Sequence, residues 1–485
     1  MELFFDIKNT ILPEVIVSAG FLCVFIFCIL SRSLNKKFLF IFNIVVLLAA
    51  FLATLSPDFS FSNYIFSGMT SVCSLSFLFK QMILVGGIFA VLLSERYVQS
   101  LQKYAGEYYA LLLSAILGGM LLSCSDNFVM MTVALELLGI SSYLLCGFSK
   151  DDRFSVEAMM KYFVVGSVAS CVVLYGISLL YGLSGSFQFE AVAQKLDAGN
   201  YIAVLGGVFV ISGLCFKLAA VPFYNWASDV YRGTSFPVAA FLSVVPKVAA
   251  FGLLIRLLSV VFNNVWIIYP FVAIIAVLTM FVGNLLAFRE KNLRNLMAYS
   301  SIAQGGYVLC VISLGSALSI SAALFYLIAY IFMNFCAWGG IGLLSEERDV
   351  TFDSVRGAVY SKPFASVCLI ISVLALSGLP FSIGFFSKFY IFQSVAFAGF
   401  VLLPFLFIIL INVFLSFYYY FSLVRQIVLP GYNQLSQKNG IKIKIATLFA
   451  AIFIVFSGFF SFWFIEYSQK ISMEYMSGIV TSENY

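Results

Sequence analysis

The sequence contains no histidine, and only 10% of its 485 residues are charged. Without histidine, a haem group would lack its usual protein ligand. The ten cysteines stand singly, with no Cys-x-x-Cys pair, whereas zinc sites and iron–sulfur clusters need grouped thiolates. The sequence also has no glycine fingerprint for a dinucleotide. These absences predict that the chain itself binds no metal and no redox cofactor.

Apolar sequence is abundant, because hydrophobic residues make up 62% of the chain. A transmembrane helix needs about 20 apolar residues, and only helices and closed barrels satisfy the backbone in lipid. The apolar runs are too long for barrel strands, which predicts an all-α polytopic membrane protein. We predict fourteen spans: 11–31, 38–57, 66–94, 108–124, 127–148, 156–182, 201–220, 236–262, 267–288, 298–314, 317–344, 363–379 with its continuation 384–398, 401–428, and 446–466. The first span lacks a preceding basic segment and exceeds a signal-peptide core, so we expect it to be retained.

The basic residues of the loops fall mostly on one side of the predicted membrane. Alternate loops carry 18 of the 27 basic residues, and the opposite loops with both termini carry three. The 18 are Arg32, Lys36, Lys37, Arg96, Lys103, Lys150, Arg153, Arg232, Arg289, Lys291, Arg294, Arg348, Arg356, Lys362, Arg425, Lys438, Lys442 and Lys444; the three are Lys8, Lys195 and Lys470. Basic loops stay in the cytoplasm, so both termini are predicted outside. The same loops explain the net charge of +5, which therefore implies no nucleic-acid partner.

Two segments end a span in the same way. Residues 213–223 read GLCFKLAAVPF and residues 371–381 read ISVLALSGLPF, each closing on a Pro-Phe pair. Proline cannot donate a backbone hydrogen bond and breaks a helix. Pro222 and Pro380 therefore predict discontinuous helices in spans 7 and 12. The carbonyls that should lose their partners are those of Leu218 and Leu376.

These matching breaks predict an internal repeat. Spans 4–8 (residues 108–262) and spans 9–13 (263–428) each contain five helices, and an odd number places the second copy upside down. Residues 1–107 hold spans 1–3, and residues 429–485 hold span 14. Inverted repeats with broken helices at matching positions are typical of transporters, and the break marks the ion site.

Seven ionisable residues interrupt the apolar spans, although a charge in hydrocarbon costs several kcal/mol. They are Lys80, Glu136, Lys161, Lys217, Lys247, Arg256 and Lys388. An intramembrane charge is a candidate functional residue by default. A series of lysines with one glutamate predicts a proton or ion path through the helix bundle.

Each of these residues also has a structural interpretation. Glu136 either switches with a nearby lysine or ties two helices together as a fixed ion pair. Lys217 precedes one break and Lys247 follows Pro246, which frees the Leu242 carbonyl; each amine either exchanges a proton or stabilises a kink. Lys388 either continues the path beyond Pro380 or extends to the membrane surface.

Three basic residues have weaker functional evidence. Lys161 follows Glu157 by four residues, which is an ordinary favourable helical pair, so relay and structural roles both stay open. Arg256 is predicted to be an anchor that extends to the outer surface. Lys80 is expected to make a helix–helix or lipid contact.

The segment VPFYNWASDVYRGTSFPVAAFLSVVPKVAAFGLLIRL (221–257) resembles the central signature of the subunit N family of bacterial proton-pumping NADH–quinone oxidoreductase, respiratory complex I. ELLGISSYLLCGF, SVEAMMKY, NLRNLMAYSSIAQGGY and GLPFSIGFFSKFYIF agree with the same family in order and spacing. The resemblance extends from about span 3 to span 13. The subunit N family is one of three antiporter-like subunits of the complex, which are related to Mrp-type sodium/proton antiporters. Lysine at position 388 favours N over its sister subunit M, and the lack of a long C-terminal lateral helix disfavours L.

The resemblance implies a translocase subunit in a bacterial inner membrane, with sister antiporter-like subunits as neighbours. It implies that Glu136 pairs with Lys217, that Lys247 is the central relay, and that Lys388 leads outside; Lys161 belongs to the same set. NADH, FMN, iron–sulfur clusters and quinone would be bound by partner subunits. An Mrp-type antiporter subunit is the alternative, and a structural scaffold is a third.

The sequence departs from the family at four positions. The family usually has histidine at Tyr224, proline at Ser228 and Ser235, and often histidine at Gln304. Tyr224 and Gln304 can still hydrogen-bond to water. The lysines and the glutamate of the predicted path are all present.

Overall fold

The computed structural model describes residues 11–30, 35–55, 63–65, 68–101, 104–345, 348–399, 403–431 and 440–482. This part of the chain is helical apart from a short hairpin of two antiparallel strands. The elements in chain order are α1 (Leu12–Leu30), α2 (Lys36–Ala53), β1 (Asn63–Ile65), β2 (Thr70–Val72), α3 (Ser74–Leu93), α4 (Glu95–Ser100), α5 (Ala105–Ser123), α6 (Phe128–Cys146), α7 (Arg153–Ser184), α8 (Phe189–Ala193), α9 (Tyr201–Leu218), α10 (Trp226–Gly233), α11 (Phe236–Arg256) with a π-helical turn (Leu257–Val261), α12 (Ile268–Arg289), α13 (Leu293–Ile312), α14 (Ala317–Leu344), α15 (Ala358–Ser361), α16 (Pro363–Ser377), α17 (Ile383–Phe397), α18 (Leu403–Val428), α19 (Ile441–Phe459) and α20 (Ser461–Ser482).

The helices reproduce the predicted spans. Within the described ranges, twelve helices are long and apolar enough to cross a membrane. The remaining two predicted spans correspond to α13 and to the broken pair α16 and α17. The prediction of an all-α polytopic membrane protein is confirmed.

Two local predictions are wrong. The third span was expected from residue 66, but α3 begins only at Ser74, after the β1–β2 hairpin. Cys73 ends the strand there, because its backbone N–H donates to Ser76 Oγ at 2.9 Å and caps the helix. The predicted last span, 446–466, crosses the break at Phe460 between α19 and α20, because the apolar sequence runs through that break.

The chain divides into two compact units. Unit 1 comprises Met1–Leu218, Val245–Ile268 and Met473–Tyr485, and unit 2 comprises Ala219–Val244 and Tyr269–Ser472. In unit 1, α5 packs against α1 and α6, and α7 packs against α9. In unit 2, the long buried helix α14 packs against α16, α17 and α19. The four ranges 1–107, 108–262, 263–428 and 429–485 stay a prediction.

In each predicted repeat, the first two helices come into backbone contact at a glycine. In unit 1, a Cβ on Gly118 of α5 would lie 2.6 Å from the Leu138 nitrogen of α6. In unit 2, a Cβ on Gly283 of α12 would lie 2.6 Å from the Ala303 nitrogen of α13. Small residues permit such contact between membrane helices, where packing rather than hydrophobicity drives association. The first two helices of the two predicted repeats therefore pack in the same way.

The fourth helix of each repeat is broken, as predicted. α9 ends at Leu218, and the chain turns through Pro222 before α10 begins at Trp226. α16 ends at Ser377, and the chain passes Pro380 before α17 begins. The Ser382 side chain accepts a hydrogen bond from Phe385 N at 3.3 Å and restarts the helix.

Candidate functional site

Glu136 lies midway along α6, in unit 1, and is half-buried. The helix is fixed at its start by Asn127, whose side chain accepts a hydrogen bond from Val129 N at 2.8 Å. The Ser170 hydroxyl on α7 donates to Glu136 Oε1 at 2.5 Å. A hydrogen bond to an ionised acceptor is among the stronger kinds. Ser170 therefore positions one oxygen of the carboxylate.

Lys217 lies in the last turn of α9 and is only 6% exposed. Its Nζ donates to the Tyr143 hydroxyl at 3.2 Å and lies 4.8 Å from the centre of the Tyr143 ring. The same Nζ lies 5.6 Å from the centre of the Tyr162 ring. A Cβ on Gly139 of α6 would lie 2.9 Å from Nζ. Cation–π contacts and the bare backbone at Gly139 therefore make the buried ammonium tolerable.

Glu136 and Lys217 face the same small cavity in unit 1. Its lining also includes Ser170, Thr132 and Gly213. About 20 Å³ of the cavity is open to the centre of a water molecule, and one water needs about 10–15 Å³. Among the described residues, Glu136 and Lys217 form no ion pair within 4.0 Å. The pair implied by the resemblance is therefore not a direct contact here, although the cavity that both side chains line has room for one water.

Lys247 lies in the middle of α11, directly after Pro246, and is 1% exposed. The proline leaves the Leu242 carbonyl without its helical donor. In unit 2, the Tyr231 hydroxyl donates to that carbonyl at 3.4 Å. The carbonyl freed by the proline is thus bonded by a side chain, as the sequence predicts for an opened helix.

Lys388 lies in the second turn of α17, in unit 2, and is 4% exposed. Its Nζ donates to the carbonyl of Leu376 at 2.8 Å and to that of Ser377 at 3.0 Å. Leu376 is the residue whose carbonyl Pro380 was predicted to free. The ammonium therefore binds the opened end of α16 and does not extend to a surface, so that structural interpretation is wrong.

Gln304 of α13 donates a hydrogen bond to the same Leu376 carbonyl as Lys388 does. Its Nε2 donates to Leu376 O and to the Tyr420 hydroxyl, both at 3.1 Å, and the Tyr326 hydroxyl donates to its Oε1. The residue that departs from the family's histidine therefore shares the Leu376 carbonyl with Lys388, and two hydrogen bonds separate them. It joins the ammonium to two tyrosines without carrying a charge of its own.

Lys161 differs from the other lysines because it is exposed on unit 1. Its Nζ lies 2.9 Å from Glu157 Oε1, one turn earlier on α7, and the two side chains are 45% and 52% exposed. The helical pair predicted from the sequence is present. Lys161 is therefore not buried within this chain, unlike Lys217, Lys247 and Lys388.

Two further basic residues have buried partners that the sequence did not reveal. Lys80 makes the expected helix–helix contact, an ion pair with Glu14 of α1 at 2.6 Å. Arg256 is 3% exposed and donates to the carbonyls of Ser71 and Ser125 at 3.4 and 3.3 Å. The prediction that Arg256 extends to the outer surface is wrong, because the hairpin and the α5–α6 loop enclose it.

With this geometry established, comparison with known proteins places the chain. A sequence profile described as "NADH:quinone oxidoreductase/Mrp antiporter, TM" matches residues 125–417. The chain belongs to the NADH:quinone oxidoreductase/Mrp antiporter family. The matched segment contains Glu136, Lys217, Lys247 and Lys388, and it excludes Glu14 and Lys80.

Members of this family with curated names include close relatives. NAD(P)H-quinone oxidoreductase subunit 2 of Synechococcus sp. (strain JA-3-3Ab) is 37% identical over 433 residues, which cover 88% of this chain and 82% of the relative. The subunit 2 of Microcystis aeruginosa is 40% identical over 370 residues, which cover 75% and 72% of the two chains. The chain is thus similar to 72–82% of the length of these subunits.

Solved structures of the family show the same fold. A chain of respiratory complex I from Thermus thermophilus, solved with bound aureothin, superposes with a TM-score of 0.81 at 26% identity and covers 94% of this chain and 99% of its own length. A chain of the Mrp complex from Dietzia sp. DQ12-45-1b superposes with a TM-score of 0.84 at 17% identity, covering 96% and 98%. The Mrp likeness shows the fold alone.

Proposed function

We propose that this chain is subunit N of a bacterial NADH–quinone oxidoreductase and moves protons across the inner membrane. Electron transfer from NADH to quinone occurs in partner subunits, which hold FMN and the iron–sulfur clusters. The 37–40% identity to NAD(P)H-quinone oxidoreductase subunits over most of the chain supports this assignment. In this proposal the chain is part of a translocase and binds no redox group itself.

The observation that carries the proposal is the pair of ammoniums at matching helix breaks. Lys217 lies in the turn before the first break, and Lys388 binds the carbonyl that the second break frees. Broken helices at matching repeat positions mark ion sites in transporters. A buried lysine changes its protonation state readily because its point charge is poorly solvated. Fixed kink-stabilising lysines would not explain why a water-sized cavity and a carboxylate lie beside Lys217.

In unit 1, Glu136 and Lys217 act as the first exchanging groups of this path. Ser170 holds one carboxylate oxygen, and the cavity that both side chains line has room for one water. The water carries a proton from the ammonium to the carboxylate, which leaves both groups neutral. A proton arriving from the cytoplasmic side restores the charge of Lys217.

The later steps use Lys247 and Lys388. Lys247 is buried beside an opened turn of α11, which suits the central relay implied by the resemblance. In unit 2, Lys388 is the last exchanging group of the path, and its ammonium is held by the Leu376 carbonyl, which also accepts a hydrogen bond from Gln304. Both termini lie outside the cytoplasm in this arrangement.

The exposed pair of Lys161 and Glu157 suggests a neighbouring membrane subunit. A charged pair on a membrane-spanning helix is costly against lipid and normally faces protein or water. We propose that a sister antiporter-like subunit covers this face of α7 and that Lys161 exchanges protons there. The rest of the outer surface contacts the lipid bilayer.

An Mrp-type cation/proton antiporter remains the alternative, supported by the shared fold at 17% identity. Purification of a tagged chain from its native membrane distinguishes the two functions. Co-purification with flavin-, iron–sulfur- and quinone-binding subunits, together with NADH-driven proton uptake in vesicles, is the expected result. Co-purification with small antiporter subunits only, and sodium-dependent proton exchange without NADH, would contradict the proposal.

A further inference from the structure

A second buried ion pair in unit 1 is separate from the groups described above. Lys80 Nζ lies 2.6 Å from Glu14 Oε1, and their side chains are 1% and 5% exposed. Replacing a buried ion pair by apolar residues is often neutral or stabilising, so the pair is weak evidence for stability alone. Within a membrane, such a pair is by default a candidate functional site.

The Glu14 carboxylate has unused hydrogen-bonding capacity. Its Oε2 is buried and makes no hydrogen bond to any residue in the described part of the chain. Its Oε1 lies 3.9 Å from the Cys124 thiol, a weak donor. Buried carboxylate oxygens are nearly always bonded to protein or to water, and an exception needs an explanation. Oε2 is therefore placed to accept a proton or to bond a water.

A network of loop residues joins this pair to Arg256. Arg256 Nη2 donates to the Ser71 hydroxyl and to Cys73 Sγ, the latter at 3.3 Å. Ser125, whose carbonyl accepts from Arg256, directly follows Cys124. Arg256 is thus linked to Glu14 through the Ser125 carbonyl and the thiol of its chain neighbour Cys124.

The pair lies at one end of the helices of unit 1, and α11 links it to the relay. Glu14 is in the first turn of α1, Lys80 is in the second turn of α3, and Arg256 ends α11. Arg256 follows Lys247 by nine residues, which is about 13 Å along an α-helix. A Cβ on Gly252, between them, would lie 2.9 Å from the ring of Phe79, the neighbour of Lys80. The helix of the central relay lysine therefore packs directly on the helix of the Glu14–Lys80 pair.

We propose that Glu14 and Lys80 form a proton-release site at the outer end of unit 1; this inference rests on the proposed function. The Lys80 ammonium gives a proton to the Glu14 carboxylate, which leaves a neutral amine and a neutral carboxylic acid. The acid releases the proton from Oε2 to water outside, and the amine regains one through water from the side of Lys247. Arg256 keeps its charge throughout, because guanidinium does not deprotonate in proteins.

The test compares protons moved per NADH oxidised in vesicles that contain the whole complex. Glu14→Gln should lower this ratio while NADH oxidation and the amount of assembled complex stay near wild type. Glu14→Asp keeps an acid and should restore most of the ratio, which a purely structural tie would not require. Asn43→Leu is the matched control, since Asn43 is also buried in the first three helices but donates only to its own helix.

Glu14→Gln leaves the Lys80 charge buried without its partner, so a second variant tests the same site without that penalty. The double variant Glu14→Met with Lys80→Met removes both charges and keeps similar volumes, and its ratio should also be low. An unchanged ratio in an assembled Glu14→Gln or double-Met complex would overturn the release site. Lys217→Ala is measured in parallel: normal pumping there contradicts the proposed function, whereas normal pumping in the Glu14 variants alone contradicts only this inference.

Discussion

Replacing Gly139 by alanine should impair proton transport without destabilising the protein. The new Cβ would lie 2.9 Å from Lys217 Nζ, and ordinary contacts begin near 3.4 Å, so the ammonium must move by at least about half an ångström. The obstacle is the end of a flexible side chain, so the move itself is inexpensive. Alanine also raises helix propensity by about 1 kcal/mol relative to glycine. The complex should therefore melt within a few degrees of wild type.

The displacement should nevertheless reduce transport. Lys217 would move away from its 3.2 Å hydrogen bond with Tyr143 and from the cavity that it shares with Glu136. A misplacement of about 1 Å can lower a reaction rate by about a hundred-fold, so a half-ångström shift should cost about ten-fold. The assay is NADH-driven proton uptake in inverted vesicles, normalised to NADH oxidation.

A second glycine provides the matched control. A Cβ on Gly182, in the last turns of α7, would meet nothing within 4 Å. Gly182→Ala should therefore leave both melting and proton uptake at wild-type levels. If Gly139→Ala pumps as well as Gly182→Ala in an equally assembled complex, the placement of Lys217 beside α6 is irrelevant to transport and the reasoning is refuted.

Three more predictions concern the Glu136–Lys217 coupling, the hydrogen bonds of Gln304 and the position of the Ser361 loop. Glu136→Gln and Lys217→Met should couple by about 1–3 kcal/mol in a double-mutant cycle on thermal stability, below the roughly 4 kcal/mol of a direct pair at an effective dielectric of 20, because the two side chains make no direct contact. Gln304→Leu should lower stability by about 2–4 kcal/mol, since it leaves buried polar groups without partners, whereas Ser394→Ala, which loses only a bond within its own helix, should cost less. A cysteine at Ser361 should react with membrane-impermeant maleimide only after cells are opened, because basic loops stay in the cytoplasm.

For each of these three predictions, one specific result would contradict it. Strictly additive effects of the Glu136 and Lys217 variants would show that the two residues act independently. Equal melting temperatures of the Gln304→Leu and Ser394→Ala variants would show that the hydrogen bonds of Gln304 do not stabilise the protein. The exposed native Cys23 and Cys171 are replaced by serine for this test. Labelling of the Ser361 position in intact cells would then show that its loop lies outside the cytoplasm and would contradict the predicted topology.

The helices and their breaks could be predicted from the sequence because both are local properties. Apolar runs define the spans, and proline removes the same backbone hydrogen bond wherever it occurs in a helix. The Leu376 carbonyl was therefore predictable as an opened acceptor at Pro380. That Lys388 binds it, twelve residues away, follows from the turn between α16 and α17.

The partners of the charged residues were not predictable, because they depend on tertiary packing. Ser170 lies 34 residues from Glu136, and a serine in an apolar helix gives no signal of its role. Glu14 was overlooked because it lies at the very start of its span, where acids are ordinary. Arg256 was assigned to the surface from its position near a helix end, yet the hairpin and the loop before α6 enclose it.

In our proposal, buried lysines at opened helices carry protons through this chain. The most direct measurement is the ratio of protons moved to NADH oxidised by a complex carrying Lys247→Ala, compared with Lys195→Ala, an exposed loop lysine. We predict that the Lys247 variant assembles and loses most of its proton uptake per NADH, while the Lys195 variant keeps the wild-type ratio. A wild-type ratio in the assembled Lys247→Ala complex would contradict the account.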